Sequence, residues 1–97
     1  MGTYIMLANW AEAGIKSVKD SPKRLDRAKK LIKAEGGSMK AFYMTMGKYD
    51  MVAIYEAPDD EAAARFILQL GMTGTIRTTT LKAFPEADYR KILGSLP

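Results

Sequence analysis

The chain contains no cysteine and no histidine. Without Cys there is no disulfide framework, no thiolate nucleophile and no thiolate metal site. Without His the commonest general base, the commonest metal ligand and the usual proximal ligand of haem are all missing. Long apolar runs are missing too, since nothing approaches the roughly 20 residues that a membrane-spanning helix needs. Thr3 to Ala8 is a short apolar run with no basic residue before it and no cleavage-like segment. The expectation is a cytoplasmic protein with no cofactor, no metal and no membrane contact. No repeat of solenoid or propeller period, no low-complexity segment and no linker is visible.

What is present suits a small folded unit. Ninety-seven residues, 47% of them hydrophobic, predict one domain over residues 1–97 with a real core. A core of that size is marginal, and association is a common remedy. The net charge is +4. Its basic residues gather at Lys16, Lys19, Lys23, Arg24, Arg27, Lys29, Lys30 and Lys33, interspersed with Glu12, Asp20, Asp26 and Glu35. Those acids break the positive field. The favoured reading is a solvated helix face laced with ion pairs, Asp26 and Lys30 being four apart in the favourable order. A nucleic-acid patch is the disfavoured one.

Thr3 to Trp10 alternates as a strand, with Tyr4, Met6, Ala8 and Trp10 on one face and Thr3, Ile5, Leu7 and Asn9 on the other. Residues 11–20 are ambiguous, with a helical turn interrupted near Gly14. Ser21-Pro22 reads as an N-cap followed by proline at the first helical position. Leu25, Ala28, Leu31 and Ile32 form one helical stripe, ended by Gly36-Gly37. Met39 to Met46 and Met51 to Glu56 are strands around the turn Gly47-Lys48-Tyr49-Asp50, where Gly tolerates positive φ and Asp can bond its own backbone. Asp59, Asp60 and Glu61 open a second helix at the positive end of its dipole, with Ala62, Ala63, Phe66, Ile67 and Leu70 as its stripe. Ile76 to Phe84 is a fourth strand, and Pro85 to Leu93 a short last helix.

The order β-α-β-β-α-β predicts an α+β, ferredoxin-like fold with a four-stranded antiparallel sheet in the order 4-1-3-2 and both helices on one face. A sheet covered on one side should show polar residues on the other. This one does not: Ile5, Leu7, Val52 and Ile54 are apolar opposite Met6, Ala8, Met51 and Ala53. The cheapest cover for the second face is another copy, so a homodimer through the sheet face is expected.

In that sheet order the end of the first strand lies beside the starts of the third and fourth. Trp10, Asp50 and Arg77 should converge there, with Asn9 and Tyr49 nearby and Tyr43 joining from the sheet. An aromatic, an acid, a base and an amide at a strand end form a candidate ligand mouth. The bland alternative is an Arg77–Asp50 clasp with Trp10 as an interface anchor. Thr78-Thr79-Thr80 alternate in direction and are explained by strand propensity. Gly71-Met-Thr-Gly74 lacks the length and lysine of a phosphate loop.

Gly47-x-Tyr49-Asp50 carries a signature. With Ala8-Asn-Trp10, Gly14-Ile-Lys16, Lys19 to Arg24, Thr45 to Asp50, Glu56 to Asp60 and Arg77 to Leu81, in order over nearly the whole length, the chain resembles the GYD domain family. The resemblance implies the dimeric α+β-barrel architecture and supplies no catalytic residues. Three functions compete. The first is a homodimeric accessory or binding module holding a small, largely apolar molecule. The second is a cofactor-independent monooxygenase or isomerase, with Asp50 or a Tyr as acid/base and Arg77 stabilising an anion. The third, disfavoured, is nucleic-acid binding through Tyr4, Trp10, Tyr43 and Tyr55, because the third strand is acidic at both ends and a dimer would bury the face.

Overall fold

A computed structural model describes residues 1–97. Strands β1 (Gly2–Trp10), β2 (Ser38–Met44), β3 (Met51–Ala57) and β4 (Ile76–Ala83) form one antiparallel sheet in the order β2-β3-β1-β4. Helices α1 (Glu12–Lys16), α2 (Ser21–Ala34), α3 (Asp60–Met72) and α4 (Glu86–Gly94) complete the chain, with a 3-10 turn at Val18–Asp20 before α2. This is the ferredoxin-like α+β arrangement read from the element order.

The central strands show the alternation at work. Tyr4, Met6 and Ala8 on β1 and Met51, Ala53, Tyr55 and Ala57 on β3 are buried, and the residues between them are only half-buried. The buried set faces α2 and α3, which contribute Ala28 and Ile32, and Ala62, Ala63, Phe66 and Leu70. Tyr55 is the hub: its ring stacks on Tyr4 at 5.4 Å and meets Phe66 edge-on at 4.9 Å. Aromatic pairs at these separations add to what area burial alone provides. The opposite face presents Ile5, Leu7, Val52 and Ile54, and no helix covers it.

Several local expectations are corrected. The hairpin is wider than a four-residue turn: β2 stops at Met44, and Thr45 N donates to Asp50 O at 2.8 Å across the connecting residues. Gly47 does take positive φ, at 125°. The Asp50 carboxylate does not bond its own turn but accepts from Trp10 N on β1. Ser21 does not cap α2; its hydroxyl accepts instead from Trp10 Nε1 at 3.2 Å. Gly14 does not interrupt a helix but lies inside α1, buried, because a Cβ there would stand 2.0 Å from Thr75 O. Ala11 N donates to that same carbonyl at 2.8 Å. By contrast, Asp59 does cap α3, accepting from Ala62 N at 2.8 Å.

The basic helix is also not the ion-pair lattice expected. Asp26 and Lys30 form no salt bridge, and neither does any basic residue of α2. One pair of the expected kind does form in that basic region, Lys16 with Glu12 in α1 at 3.1 Å. Helices α3 and α4 hold similar i,i+4 pairs, and Arg65–Glu35 and Lys82–Asp60 join different elements. Helix α4 differs from the rest in having no buried residue: Tyr89, Ile92, Leu93 and, beyond its end, Leu96 are 43–66% exposed.

Candidate functional site

The end of β1 does gather the residues expected there. Register places Asn9 opposite Arg77 and Trp10 opposite Ile76 on β4, and Ala8 opposite Met51 on β3. Asp50 sits one residue before β3 and exchanges bonds with β1 in both directions. Its carboxylate Oδ2 accepts from Trp10 N at 3.0 Å, and its own N donates to Asn9 Oδ1 and to Ala8 O, both at 3.0 Å. These three bonds extend the β1–β3 pairing past the last ladder position. A clasp therefore exists, but its partners are Asp50, Asn9 and the β1 backbone. Arg77 forms no ion pair with Asp50.

The six candidates divide between the two sides of the sheet. Asn9 and Arg77, which pair in register, and Tyr43, opposite Val52, belong to the uncovered face. Trp10 belongs to the helix side, where its indole N–H reaches Ser21 of α2. Tyr49 lies in the β2–β3 connection, its carbonyl accepting from Thr45 Oγ1 at 2.6 Å and its ring 5.7 Å from the Lys48 ammonium. The reason is the strand period: neighbours such as Asn9 and Trp10 must point apart.

The helix side holds an unfilled space. Between α2 and the sheet lies an apolar cavity of about 250 Å³, lined mainly by hydrophobic residues. Next to it, toward Trp10, a shallower recess shares Ser21, Leu25, Phe42 and Met51 with the cavity. Of the six candidates only Trp10 borders either.

A second polar cluster lies at the other end of β1. Tyr4 Oη donates to Asp60 Oδ1 at 2.5 Å, Lys82 Nζ donates to the same oxygen at 2.8 Å, and the ammonium stands 5.9 Å from the Tyr4 ring. Desolvation, helped by Asp60, pushes the Tyr4 phenol up to about 12. The hydrogen bonds from Lys82 and Tyr4 hold Asp60 below the usual carboxylate range. Burial also raises Tyr55, against a smaller lowering by Thr80; the two hydroxyls are neighbours without being placed in hydrogen-bond geometry. Sequence reading passed over this cluster. Its signal was Lys82, a charge at a helix-side position of β4, in register with Tyr4.

Fold and site together define a class: a small antiparallel α+β module whose strand-end residues brace the backbone and whose apolar surfaces outnumber its own helices. The chain matches the GYD domain over residues 4–93 and belongs to that family. It is similar to a protein of Thermus thermophilus named glutamine synthetase and cystathionine beta-lyase binding protein. The two are 33% identical over 89 residues, covering 91% of this chain and 94% of that protein. Among solved structures it is similar to a Thermus thermophilus chain, with a TM-score of 0.54 and 26% identity over 87% of this chain and 94% of that one. A hypothetical protein from Pyrococcus horikoshii shares the fold at a TM-score of 0.56 and 20% identity, over 87% and 90% of the two chains.

Proposed function

We propose that this protein is a homodimeric accessory module that binds a metabolic enzyme rather than a catalyst in its own right. The observation that carries the reading is the relative named as an enzyme-binding protein, aligned across nine-tenths of this chain. The chemistry of the site supports it. Asp50 and Asn9, the acid and amide of the candidate site, are spent on backbone bonds. The test is sedimentation velocity of the purified chain mixed with glutamine synthetase, and separately with cystathionine β-lyase, from its source organism. Co-sedimentation with at least one enzyme is expected. Failure with both overturns the reading.

The dimer is part of this proposal, and the occupant of the open sheet face is a second copy. Four strands about 4.8 Å apart and about 23 Å long present roughly 450 Å² in projection. A stable interface takes about 800 Å² from each partner. The exposed stripe of α4, Tyr89, Ile92, Leu93 and the following Leu96, supplies further apolar area of the kind that needs cover. A helix as short as α4 gains little from its own hydrogen bonds in water and depends on tertiary contact. In this arrangement Tyr43 and Arg77 lie at the dimer face, and Asn9, Tyr49 and Asp50 hold the sheet end in shape.

A small-molecule ligand is the second reading, favoured by the unfilled apolar space under α2. Trp10 is the member of the candidate site that borders the recess beside it.

A further inference from the structure

The layer between the helices and the sheet is unevenly filled. At one end Tyr4, Tyr55, Phe66 and Ile32 belong to one buried cluster, Tyr55, Phe66 and Ile32 being fully buried. At the other end the opposed positions are Ala8 on β1 and Ala28 on α2, and the cavity of about 250 Å³ opens between them. Protein interiors are normally close-packed, and a space of about 150 Å³ already holds a benzene-sized guest. The wall includes Met6, Met39 and Met51, whose unbranched side chains adapt to the shape of a guest.

Charge at the wall is of one sign. Arg24 and Arg27 line the cavity, and no Asp or Glu does. Arg24 is half-buried and has no carboxylate partner. Its Nη1 donates to Ser17 O at 3.2 Å and Ser17 Oγ at 3.3 Å, and its Nη2 donates to Gly14 O at 3.1 Å. A guanidinium has five N–H donors. The Nε hydrogen and one Nη2 hydrogen of Arg24 thus remain without a protein acceptor. The segment from α1 to the 3-10 turn holds this cation in place at the rim, with no carboxylate in ion-pair contact. Pre-set guanidinium donors suit a carboxylate, which can take two of them at once.

We propose that the cavity under α2 binds the apolar body of a small organic carboxylate, with Arg24 at its rim taking the charge. This deepens the small-molecule reading by naming the ligand class, and it depends neither on the dimer nor on a partner enzyme. Aliphatic and aromatic monocarboxylates of about ten non-hydrogen atoms fit both the volume and the charge.

The chain has one tryptophan, Trp10, whose indole bonds Ser21 at the cavity wall, so intrinsic fluorescence reports on the site. Octanoate and 1-octanol, equal in chain length and differing in charge, are titrated against the purified chain. Saturable octanoate binding at one site per chain, at least tenfold tighter than 1-octanol, is expected. Arg24→Gln should bring the two within about twofold of each other, and Ala28→Phe should abolish both. Equal affinities in the unaltered chain would leave the cavity as a ligand site and overturn the carboxylate assignment. Saturable binding of neither probe would overturn both. If Ala28→Phe does not fold, Ala8→Leu fills the same space from the sheet side, and undiminished octanoate binding by a folded filled variant also refutes the site.

Discussion

The two faces of this sheet are nearly equal in hydrophobicity and opposite in fate. Met6, Ala53 and Tyr55 are sealed beneath α2 and α3, and Ile5, Leu7, Val52 and Ile54 on the other side have no helix over them. The contrast teaches that an apolar strand pattern states a need for cover without saying where the cover comes from. On one face the chain supplies it. On the other, no helix of residues 1–97 lies over the strands, and α4 has no buried residue either.

The largest effect should come from the covered face. Phe66→Ala removes the fully buried ring that packs edge-on against Tyr55 and should cost about 3–5 kcal/mol, read by urea denaturation. On the uncovered face Ile54→Glu should leave the circular dichroism of the folded chain intact and convert the proposed dimer to a monomer in sedimentation velocity. If Ile54→Glu instead unfolds the chain as Phe66→Ala does, the two faces are equivalent and the asymmetry between them fails. Asp50→Ala probes the strand end, where it frees Trp10 N of its acceptor and should cost about 1–3 kcal/mol.

Alkali should expose a difference along β1. Folding holds the Tyr4 proton more tightly, raising its pKa from 10.0 to about 12. The associated stability is complete below pH 10 and is lost as pH rises from 10 toward 12. Tyr4→Phe should flatten that loss in a pH series of thermal melts, with a residual slope from Tyr55, which is raised as well. The smallest effect is expected for Tyr55→Phe. The Tyr55 hydroxyl is buried without a hydrogen-bond partner, so its removal should be neutral or slightly stabilising. A loss above about 1 kcal/mol would show that Tyr55 and Thr80 are bonded in solution.

Much of this is legible in the amino-acid sequence. Period-two alternation located the sheet faces, and the helical stripes located Ala28, Ile32, Phe66 and Leu70 in the core. The element order led to the sheet order, because local pattern and short connections leave few ferredoxin-like alternatives. Register then brought Asn9, Trp10, Asp50 and Arg77 to one sheet end.

Their roles were not legible. Helical spacing suggested Asp26 with Lys30, and the expected sheet order suggested Arg77 with Asp50. The folded chain pairs what geometry brings within reach, so Asp50 serves the β1 backbone, Ser21 serves Trp10, and Arg24 turns to the carbonyls of residues 14 and 17. The Tyr4–Asp60–Lys82 cluster joins residues up to 78 positions apart, which no local pattern records. The unfilled space beside Ala8 and Ala28 likewise depends on how two elements stack. By itself the sequence determined the elements, their order and which residues turn inward, because backbone period and hydrophobic burial act locally. Tertiary structure alone decided which polar atoms meet and where packing is incomplete, because both depend on distances between segments far apart in the chain.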